Sequence, residues 1–412
     1  MKPVLVTQLA RFGDLVQTKR LLLGLRATGR AVYLLVDASL ERLARLLYPW
    51  LDVHVINAHS PPDPLALRRA LEDLSGKGFH RVYNLNFSGL NMATSTLFDP
   101  DIVRGYKLDQ GQPVRDPWTG MALRWTGNRR LGALNLEDFW AGFVWPMAPG
   151  PEVNPDAVPK GGGLGVAMAG RHARRSLPPD MLASVVQAML PMLDTPKIYL
   201  LGTAAERSAA RELTVRLPPR VADTVVDLTG RTGWQELADT VAGLDRVLTP
   251  DTGVMHLAAH LGVPVTATFL SSAWCHETGP YGRGHTVWQA VHECAPCLES
   301  APCPCGQACL EPFRRREFLR LVGGLEGGRF AGDPPPGLTG YHTDFDALGV
   351  TCKAFTGQDP GRGERLRVRG FIARHLGIEA GHAVPVAPDL AETLLADPDF
   401  MLHKHQTLLE IL

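Results

Sequence analysis

The chain has 412 residues, 45% of them hydrophobic and 20% charged, a composition ordinary for globular proteins. Lysine plus arginine equals aspartate plus glutamate at 42 each, so no global field draws nucleic acid or an anionic membrane. Any phosphate-binding site must therefore be a local cluster. The length suggests two or three domains, each able to bury its own core. Met1-Lys2-Pro3-Val4-Leu5-Val6 leads straight into a strand-like segment with no leader-type apolar region, and no stretch approaches the roughly 20 apolar residues of a membrane span. The expectation is a cytoplasmic protein, with peripheral contact at the inner membrane the one membrane association left open.

In chain order, Val4–Val6 reads as a strand and Asp14–Ala27 as a helix with Leu15, Leu21, Leu22 and Leu25 on its apolar side. Strands at Ala31–Val36, Val53–Ile56 and Arg81–Leu85 follow, separated by helices at Leu40–Leu47 and Pro64–Leu74. Strands alternating with helices predict a parallel sheet covered on both faces. The alternation stops at Pro146-Met147-Ala148-Pro149-Gly150-Pro151, and Pro155, Pro159 and Gly161-Gly162-Gly163 extend the break. Such a density of Pro and Gly predicts an interdomain linker at 151–163. A second series then runs strand 163–168, helix 178–190, strand 197–201, helix 204–217, strand 224–228, helix 232–242, strand 246–248, a helix from Thr252 and strand 263–269.

The predicted fold class is thus α/β of the GT-B type. Residues 1–150 and 164–325 form two Rossmann-like, doubly wound domains facing across a cleft and hinged about a ligand. Composition loosens again from Gly323, so 326–412 is expected to be a C-terminal extension with short helices at Leu366–Leu376 and Asp389–Leu395.

The most informative segment is Leu248-Thr249-Pro250-Asp251-Thr252-Gly253-Val254-Met255-His256. A strand ends, an Asp–Thr pair offers a cap, and an apolar helix begins at once. The N–H groups of Thr252, Gly253 and Val254 would seat a diphosphate, Gly253 allowing close approach, while Asp251 would accept bonds from sugar hydroxyls. A plain capped turn is the competing reading. His256 and His260 share a helix face at metal-ligand spacing but lack the intervening Glu of zinc hydrolases, so His256 is expected to face the ligand instead. Arg171, Arg174 and Arg175 crowd the first strand-to-helix loop of the second domain and suit diphosphate neutralisation, against a solvated basic loop. Gly202, Thr203 and Glu206 follow the next strand, where Glu206 can reach a ribose hydroxyl. In the first domain Asp14 sits where its strand gives way to a helix, either as a general base or as a cap. Arg11, Asn86 and Ser88 are the candidate acceptor-side groups, with Asn84 and Asn91 nearby.

Asp99-Pro100-Asp101 and Asp397-Pro398-Asp399 mimic a metal-binding Asp-x-Asp, but neither follows a strong strand and Pro turns explain both. Neither a Gly-x-Ser-x-Gly elbow nor a Walker A sequence is present. Five of seven cysteines lie between Cys294 and Cys309, which in a reducing compartment favours metal ligation or free thiols over disulfides. Cys294-x-x-Cys297 is a chelating turn, and Cys303 and Cys309 can complete a tetrahedron around a structural Zn or Fe, leaving Cys305 surplus.

Asp251-Thr252-Gly253, Met255-His256-Leu257-Ala258-Ala259 and Leu261-Gly262-Val263-Pro264 together resemble the signature of the heptosyltransferases, glycosyltransferase family 9. Phe12-Gly13-Asp14, Thr278-Gly279-Pro280-Tyr281-Gly282 and Cys294-x-x-Cys297 add to the resemblance, which runs from residue 2 to about 320. It implies inverting transfer, with no cofactor required for catalysis, from ADP-heptose or a related nucleotide-diphosphate sugar to lipopolysaccharide core or another glycolipid or glycoprotein acceptor. It further implies that Asp14 is the base, Arg175 the phosphate-binding cation, and Glu206, Asp251, Thr252, Gly253 and His256 the donor contacts. The sequence departs from the family where Arg175 replaces a usual Lys, Leu177 a usual Trp, and Ala169-Gly170 the usual hydroxylated pair. Two other classes stay open at this point: a sugar-nucleotide epimerase of the same fold, and a non-enzymatic metal or redox module built on the cysteines.

Overall fold

A computed structural model describes residues 1–60, 63–122, 129–168, 173–193, 195–298, 301–324 and 333–378. The chain divides into two compact units, Met1–Pro149 together with Gly363–Leu412, and Gly150–Arg362. Among the described residues no helix is long and apolar enough to cross a membrane.

The first unit is built on strands β1 (Val4–Gln8), β2 (Val32–Asp37), β3 (Asp52–Ile56), β4 (Arg81–Asn84), β5 (Val103–Asp109) and β6 (Gln112–Arg115), in the order β3-β2-β1-β4-β5-β6. All neighbours are parallel except the β5–β6 hairpin. The central β1 is buried at every position, as a strand covered on both faces must be. Chain order reverses between β1 and β4, so the loops leaving these two strands flank a topological switch point, where such sheets open a crevice.

The helix expected over Asp14–Ala27 is two, Phe12–Val16 and Lys19–Ala27. The Thr18 hydroxyl donates to the carbonyls of Asp14 (3.0 Å) and Leu15 (2.6 Å), a side-chain competitor that interrupts the helix ladder. Just after the break, Arg20 is driven inside. Its Nη1 meets Asp138 Oδ1 at 2.5 Å with the side chains 3% and 0% exposed, and its Nε donates to the Ala148 carbonyl at 2.8 Å. Burial also drives the neighbouring Lys19 down to about 8, against the attraction of Glu137, and raises the Glu137 carboxyl well above its ordinary value.

The second unit carries β7 (Leu164–Ala167), β8 (Ile198–Leu201), β9 (Val225–Asp227), β10 (Arg246–Pro250), β11 (Val265–Phe269), β12 (Thr286–Ala290), β13 (Leu338–Phe345) and β14 (Val350–Thr356). Their order is β14-β13-β12-β11-β10-β7-β8-β9, parallel from β9 through β12 and antiparallel thereafter. One face packs Val166, Leu200, Leu248 and Trp288 against the helix Pro179–Met189 and the helix Arg316–Gly324, with Phe318 and Phe355 both edge-on to the Trp288 ring. Here the switch point falls between β7 and β10. Two parallel-dominated, doubly wound units are the GT-B fold.

The segment expected as a separate extension at 326–412 is divided between the two units. β13 and β14 complete the second sheet, and from Gly363 the chain belongs to the first unit. The helix Arg362–His375 buries Val368 and Ile372 completely, Arg369 donates to the Ala133 carbonyl at 2.6 Å, and the His375 ring stacks on Trp118. Its apolar positions, too few for an autonomous helix, are satisfied by a surface distant in sequence. The helix expected at Asp389–Leu395 lies outside the described residues.

The buried Arg20–Asp138 pair yields a stability prediction. Asp138→Ala strands a guanidinium away from water and is expected to cost about 3–5 kcal/mol. The loss is read as a lowered denaturant midpoint, and Asp138→Asn, which keeps an acceptor, should lose less. Equal stability of the wild type and Asp138→Ala would show that Arg20 finds another partner or reaches solvent.

Candidate functional site

The switch point of the second unit gathers Arg175, Asp251, Thr252, His256 and Thr278. β10 ends at Pro250, and Thr252 caps the helix Gly253–His260, its hydroxyl accepting from the Met255 N–H at 3.4 Å and lying 3.1 Å from the Thr249 hydroxyl. Asp251, between strand and cap, is 9% exposed. Arg175, from the loop after β7, donates through Nη2 to Asp251 Oδ2, so the pair spans the two strands at which chain order reverses. Thr278 Oγ1 donates to the same oxygen at 3.0 Å, and His256 Nε2, one turn into the helix, is 3.8 Å from Oδ1. Burial pushes the Asp251 carboxyl up, but His256, Arg175 and Thr278 together outweigh it and hold the carboxyl below its ordinary range.

Asp251 is therefore turned inward as the anchor of Arg175, rather than outward toward a sugar as the sequence suggested. His256, at 5% exposure, is likewise directed at Asp251. Arg174 turns elsewhere: its Nη1 and Nη2 donate to the carbonyls of Ala301 (2.7 Å) and Leu298 (2.8 Å), pinning the cysteine loop. Arg171 lies outside the described residues. After β8, Glu206 Oε2 accepts from the Thr203 N–H (2.6 Å) and hydroxyl (2.7 Å), a capping box that fixes both residues at the edge of the sheet. Gly202 is tight, since a Cβ there would come within 3.2 Å of Glu206. Sequence reasoning assigned no role to Thr278, although Thr278-Gly279-Pro280 stood out in the resemblance; only the fold shows its hydroxyl on Asp251.

At the switch point of the first unit, Asp14 Oδ2 accepts the Arg11 N–H at 3.2 Å, so its carboxylate caps the helix Phe12–Val16 while remaining half-buried. Arg11 itself is exposed. Asn86 Oδ1, after β4, accepts the Leu9 N–H at 2.9 Å and ties the two switch-point loops together. Ser88 caps the helix Gly89–Ser95, its hydroxyl donating to Asn91 Oδ1 at 2.7 Å. Asn91 in turn exchanges a 3.0 Å bond with the buried Asn84. The asparagines expected to meet an acceptor thus first shape the loop that carries Asn86.

The cysteine loop follows β12 and is tethered to Ser271, just beyond β11. Cys297 N–H donates to the Ser271 carbonyl at 3.0 Å, and its sulfur is 3.3 Å from the Ser271 hydroxyl. Ser271 adopts a left-handed φ of 61°, which aims that carbonyl at the loop. The donor atoms of His292, Cys294 and Cys305 lie within 4.8 Å of one another. Burial, then Cys305, Cys297 and Cys309, push the Cys294 thiol up to about 11. Cys305, surplus by sequence spacing, is thus in contact with the cluster. Cys303 accepts the Gln307 N–H at 3.3 Å, which with the Cys305 N–H lowers its thiol below the ordinary value.

Comparison with known proteins supplies the remaining context. Residues 188–307 match the family model described as glycosyltransferase family 9 (heptosyltransferase). A 72-residue stretch is 32% identical to lipooligosaccharide heptosyltransferase 2 of Haemophilus influenzae, covering 18% of this chain and 21% of that protein, so the match spans about a fifth of the curated relative's length. A family 9 glycosyltransferase structure from Veillonella parvula superposes with a TM-score of 0.55 at 16% identity, over 69% of this chain and 85% of the other. The structure of the E. coli heptosyltransferase WaaC with ADP gives 0.52 at 17% identity, over 70% and 93%. These two likenesses bear on the fold, and the fold agrees with what the matched segment encodes, β8 through the cysteine loop with the Asp251-Thr252-Gly253 turn at its centre. Residues 188–307 thus carry a match to glycosyltransferase family 9, the heptosyltransferases.

Proposed function

We propose that the protein is an inverting glycosyltransferase that moves a heptose or related sugar from an ADP-sugar to lipopolysaccharide core or another cell-surface glycan or protein acceptor, without a catalytic metal. The observation that carries this reading is the Arg175–Asp251 clasp beside the start of the helix Gly253–His260. A diphosphate leaving group gathers negative charge as the glycosidic bond breaks. A guanidinium held in place by a buried carboxylate, next to the N–H groups of a helix start, stabilises that charge without reorganising. ADP in the E. coli relative's structure supports an ADP-linked donor. Glu206, fixed by its capping box, is the proposed ribose contact, with Gly202 and Thr203 beside it. Peripheral membrane contact belongs to the same proposal, because a lipid-linked acceptor resides at a membrane.

The proposed base is Asp14. Inversion requires the acceptor hydroxyl to lose its proton as it attacks the anomeric carbon opposite the departing diphosphate. The Arg11 N–H bond orients the Asp14 carboxylate, and Arg11, Asn86 and Ser88 are the proposed acceptor-side groups.

The cysteine loop is proposed to hold a structural Zn or Fe. Thiols and an imidazole are the soft and borderline donors such ions take, and the spacing of His292, Cys294 and Cys305 is compatible with a shared ion. The proposed set is His292, Cys294 and Cys305 with a fourth ligand from Cys297 or Cys309, and Cys303 is left out of the proposal.

Asp14→Asn keeps the cap's shape but removes the proton acceptor. A fall in kcat of ~10²–10⁴-fold with donor affinity nearly unchanged is expected. Near wild-type turnover with the true acceptor would leave Asp14 a cap alone. Arg175→Ala should weaken ADP binding by calorimetry and lower turnover together; unchanged ADP affinity would remove the diphosphate from Arg175. Elemental analysis provides the third check: Cys305→Ser is expected to lose the loop's metal and Cys303→Ser to retain it. Absence of metal from wild type purified without chelator would end that part of the proposal.

A further inference from the structure

Two cysteines lie outside the 294–309 cluster, and the fold brings them together from 77 positions apart. Cys275 opens the four-residue helix Cys275–Thr278, is 1% exposed, and donates its N–H to Gln289 Oε1 at 3.0 Å. Cys352 sits in β14, paired with Thr343 of β13, and its sulfur is 3.8 Å from the Cys275 carbonyl. His276 follows Cys275 directly. Its ring stands edge-on to Tyr341 at 5.3 Å between centroids and 5.2 Å from the Trp274 ring, so two aromatic neighbours restrict its orientation. One ligand atom from each of Cys275, His276 and Cys352 lies within 4.8 Å of the others.

We propose that Cys275, His276 and Cys352 form a second metal site, separate from the cysteine loop, that takes Zn²⁺ or a divalent ion of similar softness. Donor chemistry selects the ion: sulfur and imidazole nitrogen suit zinc, whereas magnesium and calcium require oxygen ligands. Charge supports the same choice. Two thiolates and a neutral imidazole around a divalent cation sum to zero, so the assembled site places no net charge beside the buried Cys275. Three protein ligands leave the fourth tetrahedral position to water.

Position gives the site its consequence. Thr278, whose hydroxyl holds Asp251 at 3.0 Å, ends the same short helix that Cys275 begins. A helix of four residues has little stability of its own. An ion joining it to β14 would therefore brace the partner that keeps Asp251 turned toward Arg175.

The test counts metal on the full chain. Protein loaded with Zn²⁺ and desalted is analysed for zinc per chain, in the wild type and in a Cys294→Ser/Cys305→Ser background that disables the loop cluster. Adding Cys352→Ser is expected to remove one zinc equivalent in either background. With Co²⁺ in place of zinc, the same substitution should weaken the thiolate-to-cobalt absorption. His276→Gln is the second variant, since it leaves both thiols intact, and it should weaken zinc retention at least tenfold. Folded protein is verified by circular dichroism. Zinc content unchanged in both variants overturns the proposal, as does peptide mapping that finds Cys275 and Cys352 joined by a disulfide.

Discussion

A carboxylate at the end of β10 that is almost wholly removed from water would be costly to ionise unless its charge were met, and Asp251 meets it from three directions. Arg175 comes from the loop after β7, Thr278 from the short helix after β11, and His256 from the helix that Asp251 itself precedes. One buried charge thus fixes the ends of three separate loops around the switch point. The same requirement sets where Arg175 sits, since its partner is already in the core. The clasp and the cysteine loop share a segment as well, because Arg174, adjacent to Arg175, holds the carbonyls of Leu298 and Ala301.

Much of this architecture was legible in the sequence. Strands at Val4, Ala31, Val53 and Arg81, and the second series from residue 163, read correctly because buried parallel strands are short, β-branched and regularly interrupted by helices. The turn at Asp251-Thr252-Gly253 announced itself through its cap. The β5 strand was hidden by Gly105, which adopts a left-handed φ of 90° where a Cβ would come within 2.0 Å of the Asn84 carbonyl oxygen. β13 and β14 were hidden for another reason. They pair antiparallel with the end of a parallel sheet, and nothing in their local pattern names β12 as the neighbour.

The site shows the same division. Residue type and position along an element told which side chains gather at a switch point, but not which way each one turns. Asp251 inward rather than outward, Arg174 toward a carbonyl rather than a phosphate, and Cys305 rather than Cys303 beside Cys294 all depend on partners scores of residues away or on the path of a loop. His285 makes the point in miniature. Its Nδ1 accepts the Val265 N–H at 3.3 Å, and burial with Arg246 nearby drives it down to about 3, so the ring is a neutral pin between β11 and β12 whose role depends on its surroundings.

The return of the chain to the first unit has a consequence for how the protein is made. Because Gly363 onward belongs with Met1–Pro149, the whole second unit is an insertion within the first. During synthesis the sheet from β1 to β6 emerges early, yet the helix that covers Trp118 and Ala133 leaves the ribosome only after more than two hundred further residues. The second unit, continuous in sequence, can complete its core while the first still waits with an uncovered apolar surface. A nascent chain of this topology depends on the inserted unit folding promptly, and a lesion there would be felt first as aggregation of its neighbour.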